Sequence, residues 1–179
     1  MPDFVFHFSE DPAIQRFLPH VPPTNPTAGA HVWAIDAEHA PLYWFPRDCP
    51  RATVWARDNS ELAALQARFA TTARRVHWME SAWVERFADA RLYEYRFAAS
   101  AFREWRDAGG AWIAEGQWIA DVEVVPDAVT PIGSCESRHS AAGIDLRVVD
   151  NLWGPIDAVV ESGLPFSIVR ARNARPRPS

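Results

Sequence analysis

HVWAIDAEHAPLYWFPRDCPR, residues 31–51, sets a strand, a turn, an aromatic helical segment and a proline-bracketed corner side by side. Val32, Trp33, Ala34 and Ile35 are an apolar, β-favouring run between Gly29 and Asp36, which predicts a largely buried strand. Asp36 suits a helix N-cap, and Glu38 falls in the first turn, where the helix dipole favours a carboxylate. Pro41 is tolerated there because first-turn amides lack intrahelical partners. Leu42 to Phe45 continue the helix and Pro46 stops it. In the corner that follows, either Arg47, Asp48 and Arg51 face an anionic ligand, or Arg47 and Asp48 bond locally to fix the turn.

Outward from this stretch, Asp3 to Phe8 alternates as a strand and places His7 near its end beside Ser9, a position that can open on a cleft or sit in a core. Ala13 to Phe17 reads as a helical turn, and Pro19 to Gly29 as a stiff loop. Ala52 to Arg57 is a strand. Asp58 with Glu61 resembles a capping box ahead of Leu62, Leu65 and Phe69. Arg75 to Glu80 is a strand and Ser81 to Ala90 a second helix, in preference to one helix over 60–90. Leu92 to Phe97 is a strand, and Phe102 to Arg106 a helical turn. Residues 112–115 are briefly extended, 121–125 form a strand and 129–131 a turn. Ser134 caps a helix ending at Gly143, Ile144 to Val149 is a strand, and Gly154 to Gly163 is the last helix. Phe166 to Arg172 is the final strand, with Arg170 and Arg172 on one face. Strands and helices mix without βαβ alternation. That predicts an α+β fold, a single domain over 1–174 with a mixed, mostly antiparallel sheet and peripheral helices, and a disordered Arg/Pro tail at 175–179.

The 179 residues are 48% hydrophobic, enough for a packed core, and nine Trp must line a core, a groove or an interface. A net charge of −5 argues against a nucleic-acid binder built on a broad basic face. Every basic residue is Arg, which removes Schiff-base and Walker-lysine chemistry, and no glycine-rich phosphate loop is present. Cys49 and Cys135 form no CxxC pair, so no metal site is expected. Without a signal-like N-terminus or a long apolar run, the expectation is a soluble cytoplasmic protein with no membrane partner.

Three blocks, FHFSED (6–11), VWAIDAEHAPLYWFPRDCPR (32–51) and NLWGPIDAVVESGLPFSIVRARNA (151–174), resemble an uncharacterised bacterial family of unknown function. The first third is also similar in layout to ADP-ribosyltransferases, especially the small rifampin-modifying type. His7 in FHFSE stands for that fold's first-strand histidine, and Trp33, followed by Ala37 and Ala40, for its second-strand aromatic. The departures are Phe8-Ser9 after the histidine and Trp33 in place of tyrosine. This resemblance implies NAD as cofactor and an oxocarbenium-like species on cleavage of the nicotinamide–ribose bond. It assigns His7 to a ribose hydroxyl, Trp33 or Tyr43 to the nicotinamide ring, and Arg47 or Arg170 to the pyrophosphate. Glu115 is the first choice for the acid, with Glu104 and Glu161 as rivals. Ser9, Asp48 and Asn173 complete the candidate ligand-binding set. The alternative is a non-catalytic module whose aromatic and arginine groove takes a small anionic ligand or a protein partner.

Overall fold

The structure, a computed structural model, describes residues 1–22, 27, 29–111 and 114–178. In chain order the strands are β1 (Phe4–Ser9), β2 (Val32–Ile35), β3 (Arg51–Trp55), β4 (Arg75–Glu80), β5 (Tyr93–Ala98), β6 (Arg103–Glu104), β7 (Gln117–Ala120), β8 (Ala128–Pro131), β9 (Asp145–Val149) and β10 (Phe166–Val169). The α-helices are α1 (Asn59–Phe69), α2 (Val84–Asp89), α3 (Cys135–Ala141) and α4 (Trp153–Glu161). The class is α+β, as read from the sequence. The chain groups into two compact units, Met1–Trp44 with Leu92–Ile132, and Phe45–Arg91 with Gly133–Ser179. Each has its own sheet and core.

The first unit is a six-stranded antiparallel sheet in the order β6-β7-β2-β1-β5-β8. Its core gathers Val5, Val32, Ala34, Tyr95, Phe97 and Trp118, every second residue of their strands. The ladders are uneven. β1 pairs with β5 at six positions and β2 with β7 at four, but β1 meets β2 in register only at Phe6 and Ile35. Past that pair the sheet has a seam.

The second unit is a four-stranded sheet, β10-β3-β4-β9, antiparallel except for the parallel β4–β9 pair. Ala52, Val54, Val76 and Trp78 send one face against Leu65 of α1 and against Leu152, Ile156 and Val159 at α4. Asp58 caps α1 by accepting the Glu61 amide at 2.9 Å, and the Glu61 carboxylate returns to the Arg57 amide at 2.8 Å.

Several readings change, most of them because a distant partner outweighs a local preference. Ala13 to Phe17 is not helical. The Ile14 amide donates to the Tyr95 hydroxyl at 3.1 Å, and Phe17 bridges to Val124. The strand expected at 121–125 lies at Gln117–Ala120, drawn into register with β2. The turn expected at 129–131 is β8, paired with β5. The helical turn expected at 102–106 is instead β6, and the Trp105 amide donates to the Gln117 carbonyl at 2.9 Å. After Asp36 a 3₁₀ turn forms at Ala40–Tyr43 rather than an α-helix. The final strand stops at Val169, because Arg170 is left-handed at φ 57°, so Arg170 and Arg172 share no strand face. Of the extended segment read at 112–115, Trp112 and Ile113 lie outside the described residues, as do Pro23 and Pro26 of the loop.

The tail read as disordered is tied down through Arg177. The Trp153 indole donates to the Arg175 carbonyl at 2.9 Å, the Asn151 side chain to the Pro176 carbonyl at 3.0 Å, and Arg177 pairs with Asp157 over the Trp153 ring. The buried Glu80 carboxylate anchors this segment. It accepts the Leu152 amide at 3.1 Å and the Arg175 amide at 3.0 Å. Removing it strands both amides, so Glu80→Ala is expected to lose about 2–5 kcal/mol. Glu80→Gln, which keeps one acceptor, is expected to lose less. Urea unfolding of the two variants checks the order.

Candidate functional site

At the seam of the first unit a cavity of about 80 Å³ opens between β1 and β2. Phe6, His7 and Phe8 border it from one strand, and Trp33, Ala34 and Ile35 from the other, with Tyr43 and Gln117 completing the wall. Its volume is about half of the ~150 Å³ apolar cavity that accepts a benzene ring. It is far below the ~300–1,000 Å³ of sites that enclose a whole drug-sized ligand. It is therefore a small slot, able to enclose at most part of a ligand.

His7 shapes the seam. Its Nδ1 lies 3.0 Å from the Trp33 carbonyl oxygen. A carbonyl only accepts, so Nδ1 carries the proton, and in the neutral ring Nε2 is an acceptor. The ring packs edge-on against Phe17 of the core at 5.0 Å between centroids. Trp33 packs edge-on against Trp105 at 4.8 Å and against His31 at 5.6 Å. Its indole N–H is buried, with no partner among the described residues.

Tyr43 and Gln117 are bonded to each other, the Gln117 amide donating to the Tyr43 hydroxyl at 2.6 Å. Asp36 ties His39, four residues before Tyr43, to Gly116, the residue before Gln117. Its carboxylate accepts the His39 amide and faces His39 Nδ1, each at 2.8 Å, and its own amide donates to the Gly116 carbonyl at 3.0 Å. Gly116 is obligatory here. Its φ is +76°, and a Cβ would lie 2.3 Å from His39 Nδ1.

Three of the expected site residues, His7, Trp33 and Tyr43, thus border one cavity. Glu115 is half-buried in the turn two residues before Gln117 and is not part of the cavity wall. Ser9 accepts the Asp11 amide at 3.1 Å and shapes a turn. Of the rival acids, Glu104 pairs with Arg106, and Glu161 belongs to the second unit, 3.3 Å from Arg68.

Arg47, Asp48, Arg170 and Asn173 belong to the second unit. Asp48, left-handed at φ 68°, pairs with Arg170 at 3.3 Å, and the Asn173 amide donates to the Asp48 carbonyl at 2.8 Å. These three fix the corner locally. Arg47 is exposed.

The second unit also holds a buried histidine pair. His77 Nδ1 lies 3.1 Å from His139 Nε2, and His139 Nδ1 lies 2.7 Å from the Cys135 carbonyl. The carbonyl makes His139 Nδ1 a donor and its Nε2 an acceptor, so His77 donates through Nδ1. Both rings are neutral at pH 7. Burial, with His139 and Arg75 nearby, pulls His77 well below the ordinary range, and burial brings His139 down to about 4. Cys49 and Cys135 are buried free thiols, and burial pushes Cys49 up to about 12, which leaves it no thiolate for nucleophilic work at neutral pH. Among the described residues no group of three or more His, Cys, Asp or Glu is arranged to hold a metal ion. No described helix is long and apolar enough to cross a membrane. A larger open depression of about 520 Å³, lined by Gln66, Thr71, Thr72 and Asp145 among others, contains none of the candidate residues. The smaller slot, where aromatic and polar groups converge, is the better candidate.

A family model described as a family of unknown function (DUF6886) matches residues 6–174. The chain belongs to DUF6886. No curated protein and no solved structure matches it. The DUF6886 match spans the seam and every candidate residue from His7 to Asn173.

The residues that sequence reading missed are Phe6, Phe8, Ile35 and above all Gln117. The signal for Gln117 was available in Gly116-Gln117-Trp118-Ile119-Ala120, a glycine turn followed by a β-favouring run.

The histidine pair predicts a pH dependence. In the unfolded chain both rings titrate near 6.5, whereas the native rings stay neutral to lower pH. Above about pH 6.5 nothing is lost; as pH falls from there toward 4 the unfolded state gains protons that the native state refuses, and stability drops. The urea midpoint is expected to fall between about pH 7 and about pH 5, and to fall less in His139→Leu.

Proposed function

We propose that this DUF6886 chain is a nucleotide binder of ADP-ribosyltransferase-like type, whose first unit takes a planar ring, that of the nicotinamide of NAD, into the seam between β1 and β2. One observation carries the reading. A small cavity opens where the sheet loses its ladder, and His7, Trp33 and Tyr43 border it. Aromatic walls suit a flat π-system, and a slot of about 80 Å³ leaves the ribose and phosphates outside it.

Binding without turnover is favoured, because no carboxylate lines the slot among the described residues. Stabilising an oxocarbenium-like centre calls for an anionic group beside the ribose. A second reading, NAD glycohydrolysis or ADP-ribosyl transfer, rests on Glu115, which stands in the same turn as Gln117 and is the nearest acid to it in the chain. In that reading Glu115 stabilises the developing charge and His7 holds a ribose hydroxyl.

Tryptophan fluorescence titrated with NAD, nicotinamide, ADP-ribose and AMP, with free tryptophan as the inner-filter control, tests both. Saturable quenching by NAD and nicotinamide is expected, with ADP-ribose and AMP at least about tenfold weaker, and with a loss of about tenfold in Trp33→Leu. No quenching by NAD or nicotinamide up to millimolar ligand overturns the reading. Nicotinamide release that disappears in Glu115→Gln favours turnover over binding alone.

A further inference from the structure

We infer that Gln117 reads an amide edge on the ligand, so that the slot selects neutral rings bearing a carboxamide or lactam over rings bearing a carboxylate. The inference rests on the ring-binding reading above and adds to it the chemical class of the ring.

The other side chains bordering the slot are aromatic or aliphatic, apart from the His7 imidazole, already bonded to the Trp33 carbonyl, and the Tyr43 hydroxyl. Gln117 brings the one carboxamide. One of its N–H groups is given to Tyr43 at 2.6 Å. The second N–H and the carbonyl oxygen have no other partner among the described residues. When Tyr43 takes the N–H that points away from the amide oxygen, the remaining N–H and the oxygen stand side by side as a donor–acceptor pair. A primary amide or a lactam edge presents the complementary pair and docks with two hydrogen bonds, the geometry by which glutamine reads a nucleobase edge.

The group is preorganised. The Gln117 backbone N–H donates to the Ala114 carbonyl at 3.1 Å, and its Cα is in register with Ile35. Directly before it, Gly116 lies under the His39 ring, and Asp36 holds both His39 and the Gly116 carbonyl. The bond to Tyr43 holds the side chain itself, which reduces the freedom left to lose when a ligand arrives.

The same pair discriminates against acids. A carboxylate offers only acceptors, so it opposes the Gln117 carbonyl oxygen, and its charge leaves water for a mostly apolar slot. A polar site rejects a ring with the wrong hydrogen-bonding pattern more strongly than an apolar site rejects a wrong size.

The test is a binding series on the full chain with nicotinamide, benzamide, nicotinate and benzoate, read by tryptophan fluorescence and repeated in Gln117→Leu and Gln117→Met. Far-UV circular dichroism and the thermal midpoint check that each variant is folded. The wild type is expected to prefer each amide over its acid by about tenfold or more. Both variants are expected to bind the rings without that preference. If the wild type binds no ring, the ring-binding reading falls and the inference falls with it. If the wild type binds rings but treats amide and acid alike, or if a folded variant keeps the preference, only the assignment of Gln117 is overturned.

Discussion

The bond from the His7 imidazole to the Trp33 carbonyl is the interaction on which the first unit's site depends. A backbone carbonyl inside a sheet must be paired, and beyond Phe6 and Ile35 the β1–β2 ladder no longer supplies the register pairs that would do so. A side chain takes over the ladder's task. The strands can then stand apart without leaving an orphaned acceptor, and a slot opens where a continuous sheet would have none. The flanking ladders, six register pairs with β5 and four with β7, hold each side of the seam firmly. His7 therefore has a structural task that is complete before any ligand is considered.

Elsewhere in the chain, polar groups with site-like chemistry bond locally. Asp48, Arg170 and Asn173 have the chemistry of an anion site, yet they bond to one another and stabilise a corner with left-handed residues at Asp48 and Arg170. Glu80 could pass for a buried catalytic acid. Its oxygens instead accept backbone amides from two separate segments. The paired histidines of the second unit are neutral and bonded in series to a carbonyl. In contrast, Gln117 retains hydrogen-bonding capacity beyond its bond to Tyr43 and borders a cavity.

Much of the fold was legible from local pattern. The strands at β1 to β5 alternate or run apolar, and the caps at Asp58 and Ser134 sit where their side chains meet the amides of Glu61 and Ser137. The errors cluster where pairing over long range decides the backbone. β7 is short and finds its partner β2 far back in the chain, and β8 looks like a turn until β5 is beside it. Residues 13–17 carry helical spacing, but the Tyr95 hydroxyl takes the Ile14 amide. The site was half legible for the same reason. His7, Trp33 and Tyr43 stand on or beside elements that local pattern reveals, whereas Gln117 lies on the strand that it conceals. The seam is invisible in one dimension, since it is a property of register.

A planar ring bound in the seam would change the surroundings of the residues that border it. The most direct measurement is a two-dimensional ¹H–¹⁵N spectrum of the labelled protein as nicotinamide is added. Saturable shifts of the Trp33 indole N–H, the Gln117 side-chain amide and the backbone amides of Phe6 to Phe8, with the resonances of residues 145–173 unmoved, are the expected result. An unchanged spectrum at millimolar nicotinamide, or shifts confined to residues of the second unit, would contradict it.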